Sequence, residues 1–170
     1  TNIYHINGYQ GGIVTVKNKI LAASDTQSAP TISFTVERRG STINLPHYTK
    51  SRIYFMGGYS DSLGQYRSDT TYITTASDTA TNTTAIPAAR HVSEGLYESD
   101  NAYVIGGYNS SGAHTNTIYK YVMTTDTAST LSATDSVSNS QGYAFSNSLW
   151  GYRANGANVT SASNIKLTFS

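Results

Sequence analysis

Four histidines, His5, His47, His91 and His114, are the side chains best suited to hold a metal or move a proton near neutral pH. No two stand at the HxH or HxxxH spacing that sets ligands on one face, and none clusters with carboxylates. His91 follows Arg90 and His5 lies inside an apolar run, so both read as hydrogen-bonded structural residues. No serine sits in G-x-S-x-G, the turn that exposes a nucleophile. Glu94, Glu98, Asp61 and Asp69 each occur once, with no spacing that marks an acid–base pair. Gly57-Gly58 and Gly106-Gly107 open no helix, so they are not phosphate loops. Cysteine is absent, which removes disulfides and thiolate metal sites. The expectation is a chain with no catalytic residue, no metal and no cofactor.

The elements that carry these residues repeat. Ile3-Tyr4-His5-Ile6-Asn7-Gly8-Tyr9 aligns with Ile53-Tyr54-Phe55-Met56-Gly57-Gly58-Tyr59 and Ala102-Tyr103-Val104-Ile105-Gly106-Gly107-Tyr108, at offsets of 50 and 49. A degenerate fourth copy starts at Leu149-Trp150. Ser24-Asp25-Thr26 recurs as Ser77-Asp78-Thr79 and Thr125-Asp126-Thr127, and Gly95 recurs as Gly142. Repetition accounts for Asp25, Asp78 and Asp126 as turn residues, whose carboxylates satisfy nearby backbone N–H groups. A period near 50 residues fits a propeller blade. The clearest unit reads as strand A over 92–97, B over 102–107, C over 117–123 and D over 128–134.

Ile86-Pro87-Ala88-Ala89-Arg90-His91, then Ala102 to Tyr108, then Ile118-Tyr119-Lys120-Tyr121 and Asp126-Thr127 resemble one full kelch repeat. The likeness is strongest over 51–130. The family's strand-D Trp is replaced by Ala128-Ser129, and the first copy has Asn7-Gly8 for the Gly pair. The resemblance implies an all-β chain of kelch-like β-propeller blades, each a four-stranded antiparallel sheet. It forms one repeat domain with units near 1–40, 41–90, 91–137 and 138–170. Composition agrees: 24 Thr, 23 Ser and 14 Tyr suit pleated strands and turns.

In such blades the B–C and D–A loops share one face. They carry residues outside the repeat: Tyr59, Asp61, Gln65, Tyr66 and Arg67 in one, Tyr108, Asn109 and His114 in the next, with Arg90 beside them. Tyr and Arg give flat contact area with polar tips, suited to sugars or protein surfaces. Sequons at Asn82, Asn109 and Asn158 become glycosylation sites only in a source that glycosylates extracellular proteins.

About 14 strands, three and a half blades, follow from this count. The first unit lacks strand A and the last lacks D. The chain, which opens on Thr1 without Met or signal peptide, reads as processed or as a piece of something longer. Ile165, Leu167 and Phe169 fall on one face of the last strand, and this stretch is expected to dock against another copy.

A net charge of +1 with 12% charged residues provides no field for nucleic acid. No apolar run approaches the roughly 18 residues of a membrane helix, so no membrane insertion is expected. These features favour a non-catalytic structural or adhesive subunit of an extracellular or virion assembly, such as a tail, fibre or surface filament. It would self-associate and meet other structural proteins or surface glycans. Two alternatives stand beside it. A glycan-binding or glycan-active propeller of the sialidase, epimerase or galactose-oxidase kind would gather Arg, Tyr/Glu or metal-binding residues in its funnel, whereas Arg39, Arg67, Arg90 and Arg153 are scattered. A kelch interaction protein would carry a partner domain, or be longer than this chain.

Overall fold

The computed structural model describes residues 2–6, 15–21, 26–28, 32–33, 38–40, 42–47, 50–154, 156–157 and 164–169. Every regular element among them is a strand. The first sheet joins β1 (Asn2–Ile6), β2 (Thr15–Leu21) and β3 (Thr26–Ser28), with β4 (Ile32–Ser33) also pairing β2. The second runs β5 (Thr42–His47), β6 (Arg52–Ser60), β7 (Gln65–Thr74), β8 (Thr79–Thr83). The third runs β9 (Glu94–Glu98), β10 (Asn101–Ile105), β11 (Thr115–Val122), β12 (Thr127–Asn139). The fourth has β13 (Tyr143–Ser146), β14 (Trp150–Ala154) and β15 (Asn164–Thr168). All pairings are antiparallel and, apart from that of β4 with β2, join chain neighbours, so each sheet is an up-and-down blade.

Strand alternation turns each B strand into a two-sided wedge. Phe55 and Ile73 of blade 2 pack on Ile32 of blade 1. From the other side of β6, Tyr54 and Met56 pack on Ala102, Val104, Tyr119 and Tyr121 of blade 3. Blade 3 repeats the pattern: Leu96, Tyr103, Ile105 and Ile118 meet Ala144, Ile165, Leu167 and Phe169 of blade 4. Among the described residues, the core therefore consists of three layers between blades.

The Gly pairs admit this packing. A Cβ on Gly57 would lie 2.5 Å from the Arg90 carbonyl oxygen, and one on Gly106 would lie 2.6 Å from that of Asn139. Gly57 and Gly106 also have φ of 66° and 63°, which a side chain would strain.

On the face of the A–B and C–D turns, Asp126 ties blade 3 to blade 2. Its carboxylate accepts from Tyr54 (3.0 Å) and Tyr121 (3.2 Å), with Arg52 at 3.4 Å. Burial pushes the Tyr54 phenol up to about 12, so it stays a donor. Asp78 and Asp126 both have φ of 53°, the left-handed turn that their recurrence announces. His47 sits 2.7 Å from Asp100, and Lys50 donates to the Met123 carbonyl at 3.0 Å, adding two more ties.

Several expectations need correction. Strand A of blade 3 starts at Glu94, because Val92 has φ of 53° and cannot extend the ladder. Strand D of that blade runs to Asn139, not 134, since Asp135 is held by Arg153 of blade 4. Strand D of blade 1 is split into β3 and β4, which makes fifteen strands among the described residues. Ile165, Leu167 and Phe169 do share a face, but it is turned inward. Phe169 stacks on Tyr103 at 5.1 Å, so these side chains pack on blade 3.

Candidate functional site

The D–A and B–C loops meet on the face opposite the Asp126 ties, and the repeat builds the same group there twice. In blade 2, Arg39 bridges Tyr59 through backbone hydrogen bonds of 3.0 and 2.9 Å, and Tyr59 pairs Tyr66 across the B–C hairpin. In blade 3, His91 bridges Tyr108 at 3.1 and 2.8 Å, and Tyr108 bridges His114. The preceding residues, Arg38 and Arg90, are buried, and the following ones, Gly40 and Val92, are both left-handed. The Val92 N–H donates to the Gly40 carbonyl at 2.6 Å, and the Gln141 N–H to that of Val92 at 3.2 Å, which links successive D–A loops. Val92, Gly40 and Gln141 thus fix where each loop residue emerges.

The two groups merge into one row of rings. Tyr59 lies 5.2 Å from Tyr66 and 5.7 Å from His91, His91 lies 6.3 Å from Tyr108, and Tyr108 lies 4.4 Å from His114. All five are half-buried. Arg39 covers the Tyr59 ring at 5.0 Å and pairs with Asp61 at 3.1 Å. Burial, aided by the Arg39 charge and opposed by Asp61, holds the His91 imidazolium below its ordinary range. The row is therefore a near-neutral band of aromatic faces with polar tips.

Tyr59, Asp61, Tyr66, Tyr108 and His114 come together as the loops suggest. Arg67 lies aside, paired with Asp69 at 2.8 Å. Arg90 does not reach the face: it is buried, donates to the Tyr119 hydroxyl and stacks 4.6 Å over that ring. Arg39 and His91 complete the row in their place. Their signal was a basic pair in each D–A loop, Arg38-Arg39 and Arg90-His91, whose first member turns in and second turns out.

Of the sequons, Asn82 is exposed on β8, where its carbonyl accepts from Thr71 at 2.8 Å. Asn109 organises its loop, accepting from the N–H groups of Ser111 and Ala113 at 3.0 Å each. Asn158 lies outside the described residues.

A second polar group lies between blades 3 and 4. Arg153, fully buried, pairs with Asp135 at 2.8 Å and approaches Glu94 at 3.8 Å. Glu94 also accepts from the Gly142 N–H. Burial pushes the Glu94 carboxyl up, against the pull of Gly142 and Arg153. Two acids and one Arg at a blade interface act as a staple. Among the described residues, no three His, Cys, Asp or Glu gather to hold a metal.

No family model matches the sequence. No curated protein matches it either. Among solved structures, that of YjhT is similar, with a TM-score of 0.70 and 14% identity over 91% of this chain and 56% of that one. The chain thus spans about half the length of that protein, and the likeness is one of fold.

Proposed function

We propose that the chain is a non-catalytic binding module of kelch-like blades, a structural or adhesive subunit of an extracellular assembly such as a virion tail, fibre or surface filament. It contacts its target through the row Tyr66–Tyr59–His91–Tyr108–His114. The observation that carries this reading is the row itself, five half-buried rings delivered to one face by two successive repeats. Rigid aromatic side chains give large contact area at low entropic cost, which suits adhesion. A second reading, glycan binding, is favoured by the pairing of Arg39 with Asp61, which leaves apolar ring faces without net charge for an uncharged sugar.

Retention of the purified chain on glycoprotein-coated, glycolipid-coated and bare surfaces tests the reading. Replacing two aromatic contact residues, Tyr59→Ala with Tyr108→Ala, should weaken retention at least about tenfold. Melting should shift by no more than a few degrees. Equal retention of the variant, or retention by no surface, overturns the proposal.

A further inference from the structure

The two halves of the ring row match position by position, with one exchange that changes their charge. Arg39, Tyr59 and Tyr66 of blade 2 correspond to His91, Tyr108 and His114 of blade 3. In blade 2 the cation is permanent, and Asp61 neutralises it at 3.1 Å. In blade 3 the cation is an imidazole, and Ser110 stands two residues past the tyrosine, where blade 2 has Asp61. His91 therefore has no carboxylate of its own. Among the described residues, its ring makes no hydrogen bond and no ion pair.

This ring sits in the middle of the row. It lies 5.7 Å from Tyr59, 5.9 Å from Tyr66 and 6.3 Å from Tyr108. Its edge rests over Gly40, where a Cβ would come within 2.5 Å. Around it stand Arg39 and Asp61, the three tyrosines, His114 beyond Tyr108, and Arg90, turned inward onto Tyr119. Tyr59 already carries the Arg39 guanidinium at 5.0 Å. A charge on His91 would thus be half-buried beside a second cation. Burial and Arg39 favour the neutral ring, with Asp61 pulling the other way.

We propose that His91 is the specificity-determining residue of the row: as a neutral imidazole it restricts the row to uncharged, hydroxyl-bearing ligands, and its protonation releases them. This rests on the reading of the row as the contact face and names its ligand class. A neutral imidazole has one donor and one acceptor nitrogen, and a hydroxyl group can answer either. Protonation turns the acceptor into a second donor and adds a charge. A ligand lying over the row takes water away from that charge, and burying an uncompensated charge is unfavourable. An uncharged ligand thus binds the neutral form better, so its affinity falls as pH falls through the His91 value of the free chain. An acidic ligand would supply a counter-charge and show the opposite slope.

Retention of the chain on a surface coated with an uncharged glycolipid, followed from about pH 7.5 to about pH 5, tests this. Wild-type retention should weaken at least about threefold over that range. His91→Phe keeps a ring and His91→Gln keeps a polar group, and neither titrates. Both should give a flat profile, whatever their starting level, while His114→Gln should keep the fall. A magnetic-resonance titration of the His91 ring, assigned by its loss in H91Q, should have its midpoint below the ordinary 6.5 and carry the Tyr59, Tyr66 and Tyr108 ring signals with it. A midpoint at or above that value overturns the proposal. So does a flat or acid-enhanced wild-type profile, an equal fall in H91F and H91Q, or retention confined to acidic glycans. Retention on no surface at any pH overturns the reading of the row as contact face. Retention that the paired Tyr59→Ala and Tyr108→Ala changes abolish, yet is flat with pH, overturns this proposal alone.

Discussion

Arg153 shows how much a single buried charge can hold. It faces two acids, and removing it leaves them without a counter-charge in the interface. Breaking a buried pair from one side typically costs about 3–5 kcal/mol. Arg153→Met should therefore destabilise by about that much, read from chemical denaturation. Glu94 gives the pH signature. Its folded carboxyl holds a proton to higher pH than the unfolded one, whose ordinary value is 4.5. Stability is then greatest below that value and falls as pH rises through the folded value. Glu94→Gln should flatten this part of the melting-temperature profile and raise stability at neutral pH. Neither role was legible in the sequence, where Glu94 and Arg153 stand 59 residues apart and outside the repeat. Asp126 is the opposite case: its recurrence marked it as a turn residue, and the turn conformation is observed. Its ties to Tyr54 and Tyr121 come from a neighbouring blade and from strand C, which a turn motif does not encode.

At the scale of the element, the repeat fixed most strands because the apolar triplets and Gly pairs are set by packing on both sides of each blade. Where a strand is held by something else, the pattern misled. Strand β12 continues past Thr134 through polar residues because Asp135 is bound from blade 4. The apolar alternation of β15 was clear, yet periodicity shows only that one face is apolar, not which neighbour covers it. The Gly pairs carry a direct test. At Gly57 and Gly106 both the left-handed backbone and a facing carbonyl oppose a side chain, and a carbonyl of the main chain cannot swing aside. Gly57→Ala and Gly106→Ala should each destabilise by more than about 1 kcal/mol, measured by denaturant midpoint. Gly64→Ala, with the same sign of φ but open space around it, should cost less.

For the whole molecule, two faces divide the work. The A–B and C–D turns lock blades together through Asp126, Lys50 and His47, while the D–A and B–C loops present the ring row. Loop composition foretold the row's tyrosines and His114 but not Arg39 and His91, because only the fold sets the second residue of each basic pair outward. Hydroxyl-radical footprinting of the chain on a retaining glycoprotein surface tests the central claim, that this row is the contact face. Tyr59, Tyr66, His91, Tyr108 and His114 should lose modification on binding, while the exposed Tyr143 and Phe145 of blade 4 should not. Unchanged modification of the row, with protection centred on Lys50 and Asp126 instead, would contradict the account.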